Sequence, residues 1–129
     1  MNRINCRHLI LATALVFAQF PDTAAHDVSK GPNGGALVDV SGHHVEFVPS
    51  AAEITFFLTG DADAPIASAG AKAKAIVQEG GKTTQIELVP VDPNKLVGKP
   101  ESALGAGAKV VFTGTLSDGH SIQAKFSAP

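Results

Sequence analysis

The chain has 129 residues, of which 44% are hydrophobic and 17% charged, with seven Phe, no Trp or Tyr, one Cys and a formal net charge of −2. So small a charge offers no basic patch for a phosphate backbone, and without Trp or Tyr the main stacking platforms are missing. Nucleic-acid binding and sugar stacking are therefore disfavoured.

The first 25 residues read as a secretory signal. Arg3 and Arg7 form a basic start, residues 9–20 an apolar stretch too short to span a bilayer, and Thr23-Ala24-Ala25 a small-residue cleavage site. Cleavage is expected between Ala25 and His26, which predicts a periplasmic protein with one domain over 26–129. Its 104 residues suffice for a single core. Cys6, the only cysteine, leaves with the signal, so the expected mature chain has no disulfide, no thiolate ligand and no lipid-bearing cysteine for a membrane anchor. Eight basic residues then face eleven acidic ones.

His26 would begin the mature chain and offer an amine and an imidazole nitrogen to one ion. With one further imidazole this is a planar nitrogen set of the kind Cu(II) favours. The segment "HDVSKGPNGG" is expected to let His26 reach the following hairpin. Its glycines read as backbone for a turn with positive φ, not as a phosphate loop, because no GK[ST] ending follows.

Strands are expected at 36–40 and 43–48, joined by Ser41-Gly42. This turn pairs Val40 with His43, Asp39 with His44, Val38 with Val45 and Leu37 with Glu46. Alternation then puts His44, Glu46 and Asp39 on one face, and His43 with Val38, Val45 and Phe47 on the other. His44 and Glu46, about 7 Å apart at Cα, are spaced to converge on one ion, with Asp39 as third ligand or as hydrogen-bond partner of His44. The competing reading is a solvated polar face. His43 completes the candidate metal set of His26, His44, Glu46, Asp39 and His43, although its face places it beside apolar neighbours.

Further strands are expected at 53–59, 71–78, 83–89, 108–116 and 120–127, with tight turns at Gly80-Gly81 and Asp118-Gly119. "GDADAPIASAG" and "VDPNKLVGKPESALGAG" read as long loops. Ile54, Phe56, Leu58, Ile86, Leu88, Val110, Phe112, Ile122 and Phe126 form the proposed core. The alanine-rich "ASAGAKAKA" has helical propensity but reads as the first arm of a hairpin completed by "IVQEGGKTTQIELV". Seven short strands predict an all-β fold, an antiparallel β-sandwich of immunoglobulin-like type.

His120 follows Asp118-Gly119 at the last turn and reads as a solvated turn residue, its distance from the first hairpin depending on topology. No CxxC, HExxH or catalytic constellation is present, which argues against an enzyme, and the only Met is the initiator, so Cu(I) ligation by sulfur is not expected.

The stretch "GPNGGALVDVSGHHVEFV", residues 31–48, resembles the opening of the N-terminal β-rich domain in some periplasmic adaptor subunits of RND-type heavy-metal efflux systems. It also resembles small exported proteins of proteobacteria, and the likeness continues through "GAGAKVVF". It implies a non-catalytic periplasmic module associated with copper, zinc, cobalt or nickel handling. The chain departs from that pattern at Ser29-Lys30, where relatives often carry His or Glu, and at "GAGAKVVF", ahead of which some adaptors carry His. Two readings follow: a metal-binding accessory protein holding Cu(II) or Zn(II), with a metal efflux component as partner, or a metal-free module docking on an envelope complex through open strand edges.

Overall fold

The computed structural model describes residues 27–129. The expected signal segment, its cleavage site, Cys6 and His26 lie outside the described residues.

Nine strands follow one another: β1 (Ser29–Lys30), β2 (Ala36–Val40), β3 (His43–Pro49), β4 (Ile54–Thr59), β5 (Lys72–Glu79), β6 (Lys82–Val91), β7 (Lys95–Gly98), β8 (Lys109–Thr115) and β9 (Ser121–Ser127). All pairings are antiparallel, in the order β1-β2-β3-β4-β7-β6-β5-β8-β9. The fold is all-β, as composition and alternation indicate. It differs from the expected sandwich in two respects: the strands number nine, not seven, and they form one continuous sheet curled into a half-barrel.

One of the two added strands is β1, paired with β2 at the sheet edge; the other, and the continuity of the sheet, originate in β6 and its neighbour β7. Lys82 to Leu88 pair with β5, whereas Val89 to Val91 pair with β7, so this strand belongs to both halves of the sheet. The burial alternation that runs through Ile86 and Leu88 ends there, leaving Val89 and Val91 exposed. β7 lies inside the segment expected to be a long loop; Leu96 and Gly98 are its buried positions. Four residues flanked by Pro93 and Pro100 are too short for periodicity to reveal. The other long loop contains a 3-10 turn, Asp61–Asp63, in which Ala62 and Asp63 have positive φ.

The alanine-rich segment is β5, an interior strand between β6 and β8, with Ala73, Ala75 and Val77 buried. Its small side chains have a packing reason. Ala73 pairs with Gly114 of β8, and a Cβ at Gly114 would stand 2.7 Å from that of Ala73. The two strands meet there with room for one methyl group, and this tertiary demand outweighs helical propensity.

Every residue of the proposed core is buried. Four phenylalanines tie the halves together: Phe47 stacks on Phe56 at 5.2 Å between ring centroids, Phe56 meets Phe112 at 5.0 Å, and Phe126 lies 5.3 Å from Phe47. With Phe56–Phe126 at 5.9 Å, three of the four ring contacts reach across the curl, the exception being Phe47–Phe56 on paired strands. Phe56→Ala is expected to destabilise the fold by about 3–5 kcal/mol, read as a lower urea midpoint; a loss below about 1 kcal/mol would mean that the ring cluster does not hold the curl.

Candidate functional site

The first hairpin forms with the expected register, Val40 opposite His43, Asp39 opposite His44 and Leu37 opposite Glu46. Ser41 and Gly42 both have positive φ, the geometry a two-residue turn needs to match strand twist. The register sets His44 against Asp39, while Glu46 takes other partners.

Glu46 shares the face of His44 but is only 1% exposed. Its carboxylate accepts hydrogen bonds from the backbone N–H of Asn33 and Gly35 and from the Asn33 side-chain amide, each at 2.9 Å. The glycine-rich segment thus folds back over this face of the sheet and is pinned by a buried carboxylate. Gly31 lies directly against the Glu46 side chain, where a Cβ would collide with it. Glu46 is therefore a structural acceptor, its Oε1 shared by two backbone N–H groups and its Oε2 bonded to the Asn33 amide.

His44 has Nε2 2.9 Å from Asp39 Oδ2 and Nδ1 3.9 Å from Asp63 Oδ1. The cross-strand pair anticipated between His44 and Asp39 is present. The two carboxylates address opposite ring nitrogens, so they do not converge on a common point.

His43, on the inward face at the end of the half-barrel, meets the tip of the β8–β9 hairpin. Its Nε2 is 2.9 Å from Asp118 Oδ2, and His120 Nδ1 lies 3.1 Å from the same oxygen. The His43 and His120 rings stand 5.1 Å apart, tilted by 59°. Asp118 is set in place locally: its Oδ1 accepts the backbone N–H of His120 at 2.9 Å, which leaves Oδ2 to face both imidazoles. Gly119, with φ of 89°, makes the reversal possible. One potential ligand atom from each of His43, Asp118 and His120 lies within 4.8 Å of the other two.

Among the described residues, His43, Asp118 and His120 form a group of three potential metal donors that the fold brings together. Of the residues proposed from sequence, only His43 belongs to it. His120 is no isolated turn residue, and Asp118 links it to His43. The D-G-H triplet at the turn carried the local signal, since Asp118 and His120 are two apart; the missing knowledge was that the curl brings this tip to a histidine 75 residues away.

The electrostatics follow from the contact. The hydrogen bond to Asp118 raises the His43 pKa above its ordinary value; partial burial opposes this, while the charge of Asp118 and the backbone of Ser41 and Val40 assist it. Asp118 is held well below the usual carboxylate range, first by His43, then by the His120 backbone N–H and side chain. Chemically, the cluster offers two imidazole nitrogens and one carboxylate oxygen, with Asp118 and His120 partly open to solvent. Compared with protein-family models, curated proteins and solved structures, the chain matches none.

Two outcomes are expected. Glu46→Gln removes the charge that accepts three N–H groups and should cost about 1–3 kcal/mol, seen as a lower unfolding midpoint; an unchanged midpoint would contradict the pinning role. The second concerns pH. A raised His43 pKa contributes stability that is complete below the unfolded value of about 6.5 and is lost as pH rises through the folded value. The lowered Asp118 pKa contributes stability above about 3.8 that is lost as pH falls through its folded value. Urea unfolding of the metal-free protein should therefore show His43 stabilisation at pH 5.5 that declines by pH 8. Asp118→Asn should abolish that decline; an identical slope in the variant would exclude the pair as its source.

Proposed function

We propose that the chain is an exported, non-catalytic protein that binds one divalent transition-metal ion, Zn(II) or Cu(II), through His43, Asp118 and His120, and serves as an accessory in heavy-metal handling. The observation that carries this reading is the convergence of three donors from two hairpin tips.

The donor set fits such an ion. Bonds of about 2.0–2.1 Å to nitrogen or oxygen in a tetrahedron imply donor separations of about 3.3 Å. The Asp118 oxygen stands 2.9 and 3.1 Å from the two imidazole nitrogens, within a few tenths of an ångström of that value, and all three donor atoms lie within 4.8 Å of one another. Two imidazoles and one carboxylate suit Zn(II) or Cu(II), whereas Ca(II) and Mg(II) require mostly oxygen donors. No Cys or Met occurs among the described residues, which disfavours Cu(I) there. With His120 68% and Asp118 39% exposed, a remaining coordination position faces solvent, as suits an ion that is exchanged.

The accessory role draws on the signal-like start and on the resemblance of residues 31–48 to efflux adaptor domains. Calorimetric titration of the purified protein with Zn(II) and Cu(II) at pH 7.5 tests the reading. One ion per chain is expected, with affinity falling on the order of a hundredfold or more in His43→Ala/His120→Ala and unchanged in Asp39→Asn. Unaltered affinity in the double variant would remove the proposed site.

A further inference from the structure

The two hairpins that supply the cluster are not neighbours in the hydrogen-bonded sheet. β2 and β9 run side by side with Cα atoms within 8 Å, yet no backbone ladder joins them, and the strand order leaves them near its opposite ends. The half-barrel therefore has a seam. Deep in it, Phe47 packs on Phe126. At the tips, His43–Asp118 is the hydrogen bond that joins the β2–β3 hairpin to the β8–β9 hairpin among the described residues.

We propose that an ion held by His43, Asp118 and His120 is a clasp across this seam, so that its occupancy sets how readily the curled sheet opens between β2 and β9. The inference rests on the metal reading above. Its physical basis is the inequality of the bonds along the sheet. Elsewhere the strands are held by ladders of several backbone hydrogen bonds; here they are held by apolar packing and one exposed side-chain hydrogen bond. Coordination replaces that single bond by three bonds to one ion, one from the first hairpin and two from the second. An opening that peels β2 or β9 from its paired strand, and so frees the amides of that ladder, must first separate the tips and break the site. Bound ion then suppresses such openings by a factor of one plus the ratio of free ion to Kd. The β5–β6 hairpin, with its own ladder from Ala73–Leu88 to Glu79–Lys82, can fray at its Gly80-Gly81 turn without disturbing the tips.

Amide hydrogen exchange of the purified protein with and without Zn(II), paired with calorimetry on the same samples, tests the proposal. At a free Zn(II) concentration of about 100 Kd, protected amides of β2 and of the first half of β9 should exchange about a hundredfold more slowly, while those beside Gly80-Gly81 keep their rate. His120→Ala, altered at an exposed position that leaves His43–Asp118 intact, should show the metal-free rates at the same Zn(II) concentration. Zinc bound by calorimetry with seam amides unchanged overturns the clasp and leaves the binding site standing. Equal slowing across the whole chain overturns it too, since global unfolding and not seam opening would then be what the ion opposes. Absence of zinc binding overturns both.

Discussion

A sheet with one apolar face and, among the described residues, no α-helix to cover it must bury that face against itself, and the architecture depends on this. Alternation along β3, β4, β5, β8 and β9 points Phe47, Phe56, Phe112, Phe126 and their aliphatic neighbours to one side. Curling brings those side chains into contact, and β6 supplies the turn between halves by changing partners after Leu88. Burial of an aromatic ring is worth a few kcal/mol, so a cluster of four decides the global shape against the weaker preferences of individual segments. The alanine-rich β5 is one such segment: its helical propensity yields to a site where only small side chains fit between β5 and β8.

Curvature has a second consequence at the ends of the strands. It carries the β8–β9 tip over to the β2–β3 tip, and side chains with no role in the core meet there. Asp118 is prepared for the encounter by its own turn, which ties up Oδ1 and presents Oδ2 to both imidazoles. In the metal-free protein this is a charge-assisted hydrogen bond at a partly solvated tip, a modest contribution to stability. The same three groups offer two imidazole nitrogens and one carboxylate oxygen; on the proposed function, protonation and metal binding would compete for this one junction.

Glu46 illustrates how an ion-binding residue type is used for another purpose. A buried carboxylate is costly unless its oxygens are satisfied, and here three N–H groups from Asn33 and Gly35 do so. The glycine at position 31 allows the segment to lie flat on the carboxylate. In return the otherwise irregular lead-in to β2 has a fixed course over the outer face. The cost and benefit are local, and neither depends on an ion.

The sequence alone determined the seven longer strands, the register of the first hairpin and nine of the buried core residues, because each follows from the period of two and from turn chemistry within a few residues. It also determined that His43 and His44 diverge. Alternation states which face a residue takes, but not what covers that face. Hence His44 and Glu46, alike by periodicity, have different surroundings, one beside exposed carboxylates and the other beneath the glycine-rich segment. Nor does any local rule relate His43 to Asp118 and His120: their meeting is a product of how far the whole sheet curls, and that is set by the packing of side chains from every strand at once. The two strands missed, β1 and β7, have two and four residues, too few for a pattern, and exist because longer neighbours offer them a ladder to join. Local geometry was legible in the chain; the partners of each polar side chain were decided only when distant strands were brought together to bury the phenylalanines.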